Sequence, residues 1–230
     1  MNNSERNRLA GDILRYSRQT LLKQWPYLGP LLYQLQMCPM EEVHIMGSNG
    51  QFLYYNPEDV IALYKEDSSE IPKMMIHALG HCMLQHVERR NGREHALYDT
   101  ACDLSVFQLI EKLPGGRSFV GTAEERSRVN SLLGLRGHVS AESLYQDGKK
   151  DAQLMQNMEN LSQTVYRDDH RIWGKKLEAQ EGEDGSSSSF LWKQAMQRAA
   201  DEYQQMMQRE GRYQGMGSGD WTSMLDLDQE

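Results

Sequence analysis

The chain has 230 residues, 39% hydrophobic and 25% charged, with a formal net charge of −8; this is enough apolar material for a sizeable core and excludes a disordered chain. Its basic residues are dispersed apart from Glu88-Arg89-Arg90-Asn91-Gly92-Arg93, so neither nucleic acid nor a membrane is an expected partner. The three cysteines (Cys38, Cys82, Cys102) form no C-x-x-C pair, residues 1–8 are polar with no apolar stretch after them, and no run approaches the roughly 18 apolar residues of a membrane span, which together predict a cytoplasmic protein.

Leu9, Ile13, Leu14, Leu21 and Leu22 recur at helical spacing and predict an opening helix that Trp25-Pro26-Tyr27-Leu28-Gly29-Pro30 breaks. A short helix is expected over residues 31–35. Segments 43–46 and 51–55 flank Gly47-Ser48-Asn49-Gly50 and predict a hairpin, with Asn-Gly supplying the positive φ of its turn. Asn56-Pro57 opens a short helix with Val60, Ile61 and Leu63 facing inward. The next helix is expected to have Ser69 as its N-cap, Pro72 in its first turn and Asn91-Gly92 as its stop.

That helix carries His77-Ala78-Leu79-Gly80-His81. Two histidines four residues apart share one face of a helix, which is zinc-ligand spacing. In the metalloprotease pattern H-E-x-x-H the glutamate is the general base; here Ala78 stands in its place, and a methyl group accepts no proton. A His pair alone is more often ordinary core or surface chemistry, but Ile71, Met74, Met75 and Ile76 form a buried-looking face of the kind on which a rigid site belongs. His86 is not expected as a third ligand. On a continuing helix it points about 140° away from His81, which makes it a polar-face residue near the helix end.

A further helix over residues 96–112, bounded by Leu113-Pro114-Gly115-Gly116, carries Asp99 and Asp103 one turn apart among Leu104, Val106 and Leu109. Carboxylates in an apolar helix are costly to bury unless paired or metal-bound. A carboxylate from a second helix would complete a three-ligand zinc site with one open position. Asp99, near the helix start, could equally serve the helix dipole. Residues 123–135 predict another helix, and Ser140 caps a short one. Segment 166–173 combines Asp168, Asp169, His170 and Trp173 in a polar region, which reads either as a surface turn or as part of a site. Residues 177–189 are an expected flexible acidic and serine-rich loop. Phe190, Leu191, Ala195, Met196, Ala199, Tyr203 and Met207 predict a helix packing on the core, with residues 220–227 as the start of a possible further segment.

Gly50-Gln51-Phe52-Leu53-Tyr54-Tyr55-Asn56-Pro57-Glu58, His77-Ala78-Leu79-Gly80-His81 with Arg89-Arg90, and Tyr98-Asp99-Thr100-Ala101-Cys102-Asp103 resemble the bacterial metallopeptidase domain that precedes a VWA-like domain, often encoded beside MoxR-type AAA+ ATPases. Ser140-Ala141-Glu142 with Tyr145, Asp169-His170 with Trp173, and Asp220-Trp221 match its weaker landmarks. The resemblance implies an α+β, mainly α fold with a small β-hairpin or sheet and a zincin-like core, here drawn over residues 1–176. It also implies zinc as cofactor, held by His77, His81 and an acid, with Asp103 favoured and Asp99 an alternate ligand or a group that orients one. His170 is a candidate donor to the oxyanion.

The implied activity is a zinc endopeptidase acting on a peptide or protein substrate. With Ala78 in place of the family glutamate the chain is expected to be inactive as written, as an engineered Glu-to-Ala variant would be. The rival expectation is a natural pseudopeptidase, a zinc-bearing interaction module working with a VWA-like domain and a MoxR-type ATPase.

Overall fold

The computed structural model describes residues 2–134, 139–173 and 188–209. Among the described residues its contacts make two units: residues 2–88 with 168–173 and 188–209, and residues 89–134 with 139–167. The secondary structure is mainly α with one three-stranded sheet, the class the sequence predicts.

The first unit opens with α1 (Asn3–Gln24), started by a capping box in which the Asn2 side chain accepts the Glu5 N–H and Glu5 reaches back to the Asn2 N–H. Ala10, Ile13, Leu14 and Leu21 are buried along it, but Leu9, expected on the same stripe, is 39% exposed. A 3-10 turn (Pro26–Leu28) leads into α2 (Gly29–Gln34). Three strands follow: β1 (Gln36–Pro39), β2 (Met46–Ser48) and β3 (Phe52–Tyr55). The expected hairpin is β2 and β3, antiparallel with Gly47 opposite Tyr54. Its first strand lies later than the predicted 43–46, so Gly47 and Ser48 belong to the strand and not to the turn; the turn relies on Gly50 at φ +89° and on the Asn49 carboxamide, which accepts the N–H of Gln51 and Phe52. β1, which the sequence reading does not contain, pairs with β3 in parallel, giving the order β1-β3-β2.

Asn56 caps α3 (Pro57–Glu66) as expected, accepting the N–H of Glu58 and Asp59. Val60 and Ile61 are buried, while Leu63 is only half-buried. The histidine helix is α4 (Glu70–Met83), on which every residue from Ile71 to Met83 is buried except Lys73. Ser69 does not cap it with its side chain; instead the Asp67 carboxylate accepts the Ser69 N–H at 2.8 Å. Nor does α4 run to Asn91-Gly92. It stops at Met83, Gln85 takes a left-handed φ of +56°, and the short α5 (His86–Arg89) starts a new direction.

The second unit is built on α6 (His95–Lys112), buried along most of its length. Around it pack α8 (Ala141–Lys150) and α9 (Ala152–Val165), and α7 (Ala123–Leu133) contacts α9. The expected Ser140 cap is present on α8. α9 is absent from the sequence reading although Leu154, Met158, Leu161 and Val165 form its buried stripe.

The last described helix, α10 (Ser188–Arg209), belongs to the first unit and packs on α2 and the adjoining 3-10 turn. Trp192, Ala195, Met196, Ala199 and Tyr203 are buried along it, whereas Phe190 and Leu191, expected on that face, are 53% and 38% exposed. Most of the expected loop over 177–189, and residues 220–227, lie outside the described residues.

Candidate metal centre

The 3.6-residue period of α4 places His77 and His81 on the same face, with ring centroids 4.8 Å apart. β2 packs against this helix. The segment after residue 167 is fastened to β2: the Asp169 N–H donates to the Met46 carbonyl at 2.8 Å, and the His44 N–H donates to the Asp169 carboxylate at 2.9 Å. Arg171 closes the other side of Asp169, its Nε donating at 2.8 Å. This contact requires Gly47, because a Cβ there would collide with the Asp169 carbonyl oxygen and lie 3.1 Å from its carbonyl carbon.

With Asp169 clamped, its neighbours Asp168 and His170 are presented to α4. Asp168 Oδ1 lies 3.6 Å from His77 Nε2, 3.4 Å from His81 Nε2 and 3.3 Å from His170 Nε2. The candidate ligand atoms of these four residues all lie within 4.8 Å of one another. All four are buried, at 3% for His77, 0% for His81, 1% for Asp168 and 4% for His170. Trp173 roofs the cluster, stacked on His170 at 4.0 Å and edge-on to His81 at 4.8 Å.

Burial alone would push the Asp168 carboxyl up. The His81 and His170 imidazoles outweigh it and hold the group well below the ordinary carboxylate range. Asp168 Oδ2 is nevertheless buried with no hydrogen-bond partner among the described residues, an arrangement that calls for an explanation. A metal ion would supply one. Donors held about 2.0–2.2 Å from a tetrahedral ion lie about 3.3–3.6 Å from each other, and the three Asp168-to-histidine spacings fall in that range. Imidazole nitrogen with one carboxylate oxygen is a donor set suited to zinc and similar divalent ions. The neighbouring thiol is no part of it: burial pushes Cys82 up to about 12, so it stays protonated, 3.2 Å from Ser48 Oγ.

The expected site residues are distributed as follows. His77 and His81 are brought together. Ala78 sits beside them on α4, fully buried. His170, expected as an oxyanion donor, has its Nε2 turned to Asp168 within the donor cluster. Asp103 and Asp99 are on α6 of the second unit; Asp103 is buried, and Asp99 forms a bidentate ion pair with Arg90 at 2.8 and 2.5 Å. His86 is not the polar-face residue expected, being fully buried with its Nδ1 3.0 Å from His81 Nδ1. Asp168 is the donor that sequence reasoning missed. The signal was the run Asp168-Asp169-His170 beside Trp173, which contains two acids and an imidazole next to an anchoring ring.

Helix-borne histidines joined by Asp168 and His170 from a strand-clamped segment make a buried cluster that could hold a metal ion. The family model described as "Putative metallopeptidase domain" matches residues 13–226, and the chain belongs to that family. No curated protein and no solved structure matches it. Among the described residues no helix is long and apolar enough to cross a membrane.

Proposed function

We propose that this chain is a zinc peptidase domain whose metal-holding residues are intact and whose base position is vacant of any proton acceptor. The observation that carries the reading is the convergence of three imidazoles and Asp168 in one buried cluster. Zinc held there would act as a Lewis acid toward a peptide carbonyl and lower the pKa of a water to about 7. A peptidase site keeps one zinc position open for water, so three of these four side chains would hold the ion: the imidazoles of His77, His81 and His170 would offer neutral nitrogen donors, and Asp168 would offer the negative charge that makes a dication tolerable in a desolvated site. Trp173 limits the access of bulk water to His170 and His81.

Ala78 sets the limit of the chemistry. On α4 it follows His77 directly, where the peptidase pattern carries glutamate, and its methyl neither takes a proton from water nor returns one to a leaving amine. We infer that the chain is inactive as written and that the substrate class is peptide or protein. That same fully buried methyl favours one second reading, a metal-bearing module that binds partners without cleaving them, such as the VWA-like domain and ATPase system that the family resemblance suggests.

Two measurements test these readings. Elemental mass spectrometry of protein purified without a chelating tag should find about one zinc per chain; none, even after incubation with zinc, would overturn the metal-centre reading. Ala78→Glu should then gain chelator-sensitive peptide cleavage, by about 10²–10⁴-fold over the parent. A zinc-loaded Ala78→Glu protein with no cleavage of a peptide library would favour the non-catalytic reading.

A further inference from the structure

We propose that His86 is the positioning residue of the metal centre: its Nδ1 accepts a hydrogen bond from the Nδ1–H of His81 and so fixes His81 in the tautomer whose Nε2 is free to hold a metal. This rests on the metal-centre reading above. The contact joins the two Nδ1 atoms at 3.0 Å, with ring centroids 5.3 Å apart, and both rings are fully buried. Two imidazole nitrogens approach to that distance only when one carries hydrogen and the other a lone pair. His81 Nε2 faces the Asp168 carboxylate and the other donors. A nitrogen that gives its lone pair to a metal leaves the ring proton on the other nitrogen, so Nδ1 of His81 is the donor and Nδ1 of His86 the acceptor. His86 thereby fills the place that a carboxylate or a backbone carbonyl more often takes behind a ligand histidine.

The backbone is arranged for this contact. Had α4 continued, His86 would face away from His81 by about 140°. Instead the helix closes with the Leu84 N–H on the Gly80 carbonyl and the Gln85 N–H on the Cys82 carbonyl. Gln85 then adopts φ +56°, a left-handed conformation that residues other than glycine seldom take and that concentrates at functional sites. The turn swings His86 back under His81. The fully buried imidazole is otherwise an expensive side chain to place at that position.

The test compares zinc affinity, by competition with a chromophoric chelator, in the parent protein, His86→Asn and His86→Leu. The two replacements have nearly the same shape, but only asparagine offers an acceptor near the position of Nδ1. The melting temperature of the metal-free proteins serves as the control for folding. His86→Leu should bind zinc about 10–100-fold more weakly than the parent, and His86→Asn should recover most of that loss while melting within a degree or two of His86→Leu. Equal affinities for His86→Asn and His86→Leu would overturn the proposal, because packing alone would then account for His86.

A measurement on the unmutated, zinc-loaded protein decides the matter even if both variants fail to fold. Long-range ¹H–¹⁵N correlation spectra should show His81 protonated at Nδ1 and His86 unprotonated at Nδ1. A proton on His86 Nδ1 would refute the assignment. Failure of the parent to bind zinc at all is a separate result and strikes the metal-centre reading itself.

Discussion

Gly47→Ala isolates the clamp that carries Asp168 and His170 to the site. Gly47 does not have a positive φ, so alanine is acceptable to its backbone, and the substitution would ordinarily stabilise by about 0.4–1 kcal/mol through the unfolded chain. The obstacle is the contact with Asp169, whose carbonyl carbon and nitrogen would lie 3.1 and 3.2 Å from the new methyl and whose carbonyl oxygen would overlap it. Restoring van der Waals separation requires segment 168–170 to move by about 1 Å. That movement breaks the bond from the Asp169 N–H to Met46 and the bond from the His44 N–H to the Asp169 carboxylate. A neutral bond contributes about 0.5–1.5 kcal/mol and one to a charged acceptor about 1.5–3. Against the alanine gain, the net loss is about 1–4 kcal/mol, or a fall in Tm of roughly 2–16 °C. A shift of about 1 Å also exceeds the roughly 0.5 Å tolerance of a binding constellation, so zinc affinity should fall at least about tenfold. The assay is a chelator-competition titration with a thermal melt, using Gly29→Ala as control, since a Cβ there meets only Leu22 Cδ2 at an ordinary 3.6 Å. If Gly47→Ala binds zinc and melts as Gly29→Ala does, the clamp does not position the ligands.

Asp99→Ala removes one side of the Arg90 pair, whose side chains are only 13% and 18% exposed, and should cost about 2–3 kcal/mol by urea denaturation while leaving the zinc content at the parent value; loss of zinc would assign Asp99 a part in holding the metal. Burial alone would raise the Asp169 carboxyl, but hydrogen bonds from Arg171 and from the His44 N–H hold it below the ordinary value. A carboxyl with a depressed folded-state pKa stabilises fully above its unfolded pKa of about 3.9 and loses that contribution as pH falls through the folded value, so Asp169→Asn should be less stable than the parent at neutral pH, with a flatter decline below about pH 4. Saturating zinc at about 1,000 times its dissociation constant should stabilise the parent by about 4 kcal/mol, a shift that a chelator reverses and that fades as pH drops through the ordinary histidine range near 6.5; a melt insensitive to both would rule out a zinc site coupled to the fold. Asp168→Asn should weaken zinc binding more than Asp103→Asn does, and the opposite order would make Asp103 the principal carboxylate.

The period of the apolar residues reveals what is local. Ile71, Met74, Met75 and Ile76 bury α4 and bring its two histidines to one face, and Asn56 and Ser140 cap the helices they precede. Asp151, whose side chain accepts the N–H of Gln153 and Leu154, and the stripe Leu154, Met158, Leu161, Val165 are written just as openly for α9, and a mostly polar exposed side obscures them. Other features depend on pairings that no short window contains. β1 is four residues long, ends in Pro39 and gains its strand character only from parallel pairing with β3. The end of α4 is set by Gln85 in a conformation for which its residue type gives no hint. Asp168 reaches the histidines because Asp169 is held on β2, a contact decided by Gly47, far away in the chain. Trp192 replaces Phe190 and Leu191 on the buried face of α10, with its indole N–H bonded to the Gly50 carbonyl at 2.6 Å, and a hydrophobic period alone does not rank those three rings and chains.

The cluster separates two requirements that peptidase chemistry normally combines, namely holding a metal and accepting a proton. Asp168 is the one acid in the unit-one cluster, and it is a poor substitute for the glutamate that the peptidase pattern has after its first histidine. The imidazoles of His81 and His170 already hold its carboxyl well below the ordinary range, and a cation at the site would lower it further. A general base works best when its pKa lies near the operating pH, so the same interactions that suit Asp168 to ligation disqualify it as the base. Its Oδ1 is also directed at three histidine nitrogens, which leaves Oδ2 alone without a partner, and that atom is buried. The arrangement therefore suits Asp168 to holding a metal and not to the proton-accepting role that the methyl of Ala78 cannot fill. Restoring that single carboxylate is the change from which catalysis is expected, and its effect should appear in turnover with the zinc content unchanged.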